Sequence, residues 1–570
     1  MRALARLRAA LARDPEPAVA VLVALLTLIL LAATAGAGIV RDEGYYFRAA
    51  REYHAWFEAL GPRLAAGHLG EAFSDATLTR AFGYNPEHPG LVKLLMGFTW
   101  KVGHGWLGLE ARLGFRLAAM LLVAVGAAFT HLFGARLYGR AVGLLAVVLY
   151  LACPHVFYHA HLAAFDAPVT ALIVATTYAF WRSLVSRPWA WLTGVFFGLA
   201  LATKHNAAFL PPTFAIVFVV ARLGDLRAGR LPRPPLALVA MLVLGPLVLY
   251  ALYPYGWHAP FERLAAYYRY HLNHEHYPVD YLGTLYRSPP FPWSFPWVMT
   301  ALTVPLPILV AGLAGIVLVL RDLRAPASPR RDAAWLLLAA VVVPPFIISL
   351  PSVPIFGGVK HWLPMMPFFT LAAARAVVTA AASLRALAMG RLGPTLAWCL
   401  TLAMVVLPAL ETARSHPLGH TYFNELALGP QGAAALGLPR GFWGGAGGSL
   451  LPTLDHLAAP GDAVFSHRMN AYAFSAYQED GLLRSDLRWT PELDDARWAL
   501  TYHQREHQDV EYAAWLRALD RRPAASVLVD GVPIVSLYRL GARGDPAPLF
   551  RPPAPVPARE PAGEARFRGP

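Results

Sequence analysis

The stretch PAVAVLVALLTLILLAATAGAGIV, residues 17–40, runs directly into RDEGYYF, residues 41–47. An uncharged run of this length exceeds the ~20 residues that cross about 30 Å of hydrocarbon, and Arg2, Arg6, Arg8 and Arg13 precede it. It is too long for a secretory signal. Gly36-Ala37-Gly38 lead through Ile39 and Val40 into an acidic motif, so the run reads as an uncleaved first span. Two adjacent carboxylates, Asp42 and Glu43, stand at its exit. A charge there costs less than at the bilayer centre, but two together repel unless a cation or a proton donor is at hand.

The rest of the chain agrees with that opening. Of 570 residues, 56% are hydrophobic and 15% charged, with a mean hydropathy of +0.43. A water-soluble globular enzyme carries more charge than this. Further apolar segments lie near 113–133, 141–158, 167–181, 189–204, 206–221, 236–254, 297–320, 334–350, 359–374 and 394–411, which makes eleven with the first. The expectation is a polytopic α-helical membrane protein of about eleven transmembrane helices, in which 189–221 is either two short spans or one broken helix. Only Cys153 and Cys399 occur, both in apolar stretches, which excludes a disulfide framework and a cysteine metal site.

The formal charge of +14 raises nucleic acid and anionic lipid as partners, and its distribution decides between them. Residues 1–16, 134–140, 182–188, 222–235, 321–333 and 375–393 hold nineteen Lys and Arg against five acids, whereas loops 41–112 and 255–296 are balanced, with eleven of each sign. By the positive-inside rule the first set is cytoplasmic, and the excess charge is a topology signal. It gives no reason to expect nucleic acid. An odd number of spans puts residues 412–570 outside the cytoplasm with the two long loops. There Ala463-Val464-Phe465 and Trp498-Ala499-Leu500 read as strands, Ser526–Leu540 as a hairpin turning at Asp530-Gly531, and Glu511–Leu519 as a helix. The expected organisation is a transmembrane domain over 1–411, a small α/β domain over 412–540 and a Pro/Arg-rich tail over 541–570. No internal repeat is present.

Several ionisable residues fall on the outer side. From Tyr45 to Leu60, Tyr46, Tyr53, Phe57 and Leu60 recur at helical spacing among charges, the pattern of a helix lying in the interface. Asn85-Pro86-Glu87-His88-Pro89-Gly90 sets an acid and an imidazole in a rigid turn. Tyr158-His159-Ala160-His161 precedes Phe165-Asp166-Ala167-Pro168, where Asp166 reads as the cap of the fourth span. His159 and His161 beside an acid also raise metal ligation. Lys204-His205 interrupts an apolar stretch, and Lys360-His361 is a second basic pair at the outer boundary. A lysine at such a place needs an anionic partner or a route to water, and two of them suit phosphate. Loop 255–296 is dense in Tyr, His and Trp, which suits either a sugar or an interfacial loop, and no catalysis is assigned there.

Taken in order, these motifs resemble the bacterial GT-C superfamily of membrane glycosyltransferases, of the family-39/protein-mannosyltransferase and aminoarabinose-transferase type. The resemblance rests on Asp42-Glu43 with its aromatics, Glu87-His88-Pro89, Phe165-Asp166-Ala167-Pro168 and Gly198 to Lys204. It continues through Tyr281-Leu282-Gly283 with Pro289-Pro290, Lys360-His361-Trp362-Leu363-Pro364, and His416-Pro417 to Glu425 with Trp443-Gly444, covering about residues 17–450. It implies a GT-C type fold with interfacial helices in the first outer loop and a small periplasmic α/β domain, in a multi-pass protein of the bacterial inner membrane whose N-terminus is cytoplasmic. It also implies inverting transfer of a sugar from a polyprenyl-phosphate donor to a hydroxyl of an acceptor protein, lipid or glycan. Carried over by position, Asp42 is the base, Glu43 supports it and Asp166 is the second acid. Lys204 and Lys360, beside His205 and His361, meet the donor phosphate, and Glu87-His88 is a substrate-binding position. Relatives differ in metal use, which leaves room for a divalent ion between Asp42 and Asp166 and names no other cofactor.

Two readings from other classes compete. A transporter or flippase of lipid-linked sugars is also polytopic, yet such proteins carry repeats and sites near the midplane. A non-catalytic lipid-glycan binding protein would keep the cleft without turnover.

Overall fold

The computed structural model of the chain describes residues 13–387 and 390–541. Arg2, Arg6, Arg8 and the expected tail, apart from Gly541, lie outside the described residues. All eleven apolar segments fold as helix. Five are long and apolar enough to cross a membrane, namely Glu16–Ala33, Ala111–Tyr138, Pro329–Ile348, Gly358–Ala386 and Leu392–Ser415. Arg140–Leu151 and Pro154–Ala160, bent by 81° at Pro154, supply a sixth if taken as one span. The segment 189–221 is broken: Arg187–Leu201 ends, Ala202-Thr203-Lys204 runs without helix, and a 3-10 turn His205–Phe209 leads into Leu210–Ala221. The eighth apolar segment is likewise split, into Phe295–Thr303 and Leu306–Asp322, before Pro305.

The helix Asp166–Ser183 occupies the middle of the bundle, with every side chain from Asp166 to Trp181 buried. Its hydroxyls are satisfied locally, Thr170 on Asp166 O at 2.8 Å and Thr176 and Thr177 on Leu172 O and Ile173 O at 2.7 Å. Small residues let neighbouring backbones close up, as expected where lipid offers no hydrophobic drive for helix association. A Cβ at Gly315 would lie 1.9 Å from Ala372 O.

One end of the bundle is fastened by charge. Arg136 pairs with Asp14, Arg140 with Glu16 at 2.7 Å, Arg222 with Asp332 at 2.6 Å, Arg230 with Asp225 at 2.8 Å and Arg375 with Asp322 at 2.5 Å. All five acids of the basic loop set are therefore neutralised by arginines of that same set. Trp181 Nε1 on Pro329 O at 2.9 Å brings the loop after residue 181 to the same end.

At the other end, the first outer loop forms the helices Arg41–Ala65, Asp75–Phe82 and Leu91–Trp100. The first two close over a small core of Tyr53, Trp56, Leu78 and Phe82. Loop 255–296 contributes the helix Pro260–Leu272 and a ribbon, β1 (Val279–Tyr281) with β2 (Thr284–Tyr286), turning at Leu282-Gly283, both at positive φ. The chain then builds a mixed sheet from β3 (Ala463–Ser466), β4 (Arg488–Thr490), β5 (Trp498–Tyr502), β6 (Ala525–Val529) and β7 (Val532–Arg539), in the order β4-β3-β5-β7-β6. β3 lies parallel to β4 and β5, and β7 antiparallel to β5 and β6. Asp530 and Gly531, with φ of 48° and 78°, make the β6–β7 turn.

This sheet region is locked to the exit of the first span. Tyr477 Oη receives the Ile39 N–H at 2.5 Å, Asn470 Nδ2 donates to Arg41 O at 2.6 Å, and Asp480 Oδ1 accepts from Ala111 N at 2.6 Å. A Cβ at Gly38 would meet Gly445 O at 2.0 Å. Gly315→Val is expected to lower the apparent Tm in detergent by several degrees, whereas Gly61→Ala, whose Cβ meets nothing within 4 Å, leaves it level or raises it. Thermal scans of both purified variants check this.

Candidate active site

Glu43 and Arg116 are both fully buried. The guanidinium meets the carboxylate through both oxygens, Nε to Oε1 and Nη2 to Oε2, each at 2.7 Å. Nothing in the pair is left unsatisfied. Oε2 also accepts from Val40 N at 2.9 Å, as the acid of a capping box does, and Oε1 from Ala163 N at 2.8 Å. Arg116 also donates to Ala37 O at 2.7 Å and Gly38 O at 2.9 Å. One ion pair thus ties together the exit of the first span, the first turn of Arg41–Ala65, the helix Ala111–Tyr138 and the loop before Asp166. A desolvated pair is stable only with such complete hydrogen bonding. Glu43 faces away from the cavity described next, and its part is to hold Asp42.

A cavity of about 310 Å³ opens beside it. Asp42, Glu87, His88, Asp166, Lys204, His205, Lys360 and His361 all line it. Of the nine residues singled out from sequence, eight therefore converge on one space and the ninth braces its rim. They come from the Arg41–Ala65 helix and the 85–90 turn, the start of the helix Asp166–Ser183, the 202–204 break with the 3-10 turn after it, and the 3-10 segment Gly358–Met365, whose entry at Gly357 and Gly358 has φ of 69° and 63°.

The charges divide into paired and unpaired. Lys204 Nζ lies 2.5 Å from Asp166 Oδ1. Asp166 was expected as a helix cap; it is instead the first helical residue, and Phe165 precedes it without a side-chain cap. Its carboxylate turns to the lysine because two buried opposite charges in contact outweigh a single capping bond. Asp42, in the first turn of its helix, has no hydrogen-bond or ion-pair partner among the described residues, and the same holds for the Lys360 ammonium. Lys360 Nζ rests 4.0 Å from the ring centre of Trp443 and 4.7 Å from that of Phe356. Ring faces hold a cation while leaving its hydrogen bonds available to an anion.

The turn carrying Glu87 and His88 is fixed from behind. Lys93, fully buried, donates to Asn85 O at 2.7 Å and His88 O at 2.9 Å, and Tyr253 Oη to Pro86 O at 2.7 Å. Burial, reinforced by Lys93 and Lys204, holds the His88 imidazole well below its usual range. His271, whose Nε2 bonds Glu87 O at 2.8 Å, is lowered by burial to about 4 and stacks on His205 with ring centres 3.9 Å apart. These rings are neutral near pH 7, when they can both donate and accept.

Among the described residues no group of three or more His, Cys, Asp or Glu is placed to hold a metal. Asp166 Oδ1 is engaged by Lys204. His161 is engaged too, its Nδ1 by Phe157 O at 2.7 Å and its Nε2 by Thr34 Oγ1 at 2.9 Å, while His159 packs against Phe442 and Trp443. The donors do not fit a divalent ion between Asp42 and Asp166.

Sequence reasoning missed three groups of residues. Arg116 was legible, since an arginine inside an apolar run requires a buried acid. Tyr270, His271, His274 and Tyr277 of the second loop line the cavity, and their density in aromatics and imidazoles was the signal. Arg468, Glu506 and His507 arrive from the sheet region, with Arg468 paired to Glu506 and bonded to Gln504 at 2.7 Å. Nothing local marks those.

Two measurements follow from this arrangement. Arg116→Met strands the Glu43 charge and is expected to cost about 3–5 kcal/mol, with the Glu43→Gln/Arg116→Met double variant losing less than the sum of the single changes; denaturation of all three in detergent closes the cycle. Burial lowers His507 to about 4 and His467 well below its usual value, as it does His88 and His271. Below about pH 6.5 the unfolded chain therefore binds protons that the folded chain refuses, and stability rises with pH across that window. The apparent Tm is expected to be level above pH 7 and to fall as the pH drops from about 6.5 toward 4, with a shallower fall in a His271→Gln/His507→Gln variant.

Residues 88–250 match the family model described as dolichyl-phosphate-mannose-protein mannosyltransferase. No curated protein sequence matches the chain. Among solved structures, the chain is similar to ArnT from Cupriavidus metallidurans, both bound to undecaprenyl phosphate and in the apo state. The bound form is 14% identical, with 91% of this chain and 97% of that one covered and a TM-score of 0.47; the apo form is 14% identical, with 92% and 98% covered and a TM-score of 0.48. It is also similar to the archaeal oligosaccharyltransferase AglB from Archaeoglobus fulgidus in complex with an inhibitory peptide and a dolichol-phosphate, at 11% identity, 88% and 71% coverage and a TM-score of 0.45. The family match begins at His88, takes in Asp166, Lys204 and His205 and ends at Tyr250, so part of the cavity lining lies within the stretch that is similar to that family.

Proposed function

We propose that the chain transfers a sugar, with inversion, from a polyprenyl-phosphate donor to an acceptor hydroxyl on the extracytoplasmic side of the bacterial inner membrane. The orientation rests on the nineteen Lys and Arg of the opposite loops. The observation that carries the reading is the division of charge in the cavity. Asp166 and Lys204 neutralise each other, which leaves the Asp42 carboxylate on one side, and the Lys360 ammonium and Arg41 guanidinium on the other, without an ion-pair partner among the described residues of the lining.

In this reading the acceptor hydroxyl gives its proton to Asp42 as its oxygen attacks the anomeric carbon. The bond from that carbon to the phosphate oxygen breaks, and the electron pair leaves with the phosphate. The phosphate gains one negative charge as Asp42 loses one. A cation on the leaving side stabilises that shift, and Lys360 supplies it, with the Lys204–Asp166 pair alongside. Asp42 is left without a partner because Glu43 takes up Arg116 and the amides of Val40 and Ala163. His88, His205, His271 and His361 offer hydrogen bonds to sugar hydroxyls. A lipid-borne donor enters laterally between helices, which explains a transferase with no Gly-rich nucleotide loop.

The test is transfer and donor binding measured side by side. Asp42→Asn is expected to reduce transfer at least about 100-fold with donor affinity unchanged, and to accumulate polyprenyl-phosphate sugar and unmodified acceptor in cells. Lys360→Met is expected to weaken donor binding as well as turnover. Turnover within a few-fold of the parent in Asp42→Asn overturns the base assignment, and substrate movement across vesicles without a covalent product overturns the transferase reading.

A further inference from the structure

The helix Pro260–Leu272 has two faces that do different things. Tyr267 is buried and His271 reaches the cavity, while Arg263 is held inward by Asp75 at 2.7 Å. These three residues share one side of the helix at a 3.6-residue period. The opposite side carries Phe261, Ala265, Tyr268 and Leu272, spaced four, three and four apart, so they form one narrow stripe. Phe261 is 88% and Leu272 82% exposed. Glu262 and Arg269 lie together on one flank of the stripe. An aqueous surface helix does not present its largest apolar side chains outward in register.

We propose that this stripe docks into the outer leaflet at the headgroup and acyl boundary, making the helix a membrane-seated wall of the cavity. The occupant follows from continuity. The helix starts nine residues after Leu236–Ala251, a shorter apolar helix of 16 residues whose Leu242, Val243, Leu247 and Tyr250 are exposed. The connection is a reciprocal aromatic clasp of the kind found at membrane interfaces, Trp257 Nε1 on Tyr250 O at 2.6 Å and Tyr250 Oη on Trp257 O at 3.1 Å. One stripe of large apolar residues flanked by charges suits a helix lying in that plane. The consequence for the site is direct, because Tyr270 and His271 ride on the same helix and His274 follows it. The lipid surface then sets where those cavity residues stand, and it does so whether or not the donor assignment above is right.

The experiment uses the full chain in phospholipid nanodiscs with Cys153 and Cys399 replaced by Ala and single nitroxide labels at positions 260–272. Labels at 261, 265, 268 and 272 are expected to collide with oxygen several-fold more than with a water-soluble nickel chelate, and labels at 262 and 269 the reverse, giving a 3.6-residue oscillation. Equal access to the chelate at 261 and 262 overturns the proposal. Dipolar broadening between labels at 261 on two chains assigns the stripe to a second copy and also overturns it. A paired change, Phe261→Asp/Leu272→Asp, is expected to flatten the oscillation and raise the KM for lipid-linked donor about tenfold with kcat within twofold. If the oscillation is present while transfer is absent from the parent chain, the transferase reading fails and the docking stands.

Discussion

Burying a full carboxylate and a full guanidinium side by side is tolerable only when every polar atom of both is occupied, and the Glu43–Arg116 pair meets that condition by borrowing backbone from three places. Val40, Ala163, Ala37 and Gly38 are drawn to it because no water can stand in for them. Much of the cavity follows from this. The residue before Glu43 is forced to the rim, and the loop that ends at Asp166 is pinned by the same carboxylate. Two acids of the cavity, Asp42 and Asp166, are thus placed relative to one another by a third acid that never reaches it.

The remaining charges obey the same economy of pairing. Lys204 interrupts an apolar stretch because Asp166 requires it, and the backbone break at 202–204 gives its side chain the room to turn inward. Lys93 is spent on two carbonyls of the 85–88 turn. Where pairing stops, as at Asp42 and Lys360, the unpaired charge is supported by other means: the first turn of a helix behind the one, aromatic faces beneath the other.

The sequence made some of this readable and hid the rest, for physical reasons that differ by residue. Helical segments, the basic loop set and the β6–β7 hairpin declare themselves through local pattern: hydropathy, charge asymmetry and Asp530-Gly531. The convergence of Asp42, Asp166, Lys204 and Lys360 was legible because a charge beside hydrocarbon must be excused by function or by a partner. The partner itself was less so. Asp166 looked like a helix cap because capping is a local habit, whereas its actual bond spans 38 residues of sequence. Arg468 and Glu506 carry no local mark at all, since their place is decided by how the sheet lands on the bundle. Eleven apolar runs suggested about eleven crossings, with 189–221 open between two short spans and one broken helix; a helix surrounded by other helices need not be long or uniformly apolar, and several here are short or bent.

The locking of the sheet region onto the first span has a temporal meaning. Tyr477 and Ile39 are 438 residues apart in the chain, and Asn470 and Arg41 are 429 apart. During synthesis the first span is made early, and the backbone groups at its exit wait until Asn470 and Tyr477 emerge and fold back over it. A nascent chain therefore holds Asp42 and Asp166 before Asn470 and Tyr477, which fold over the first span, have been made.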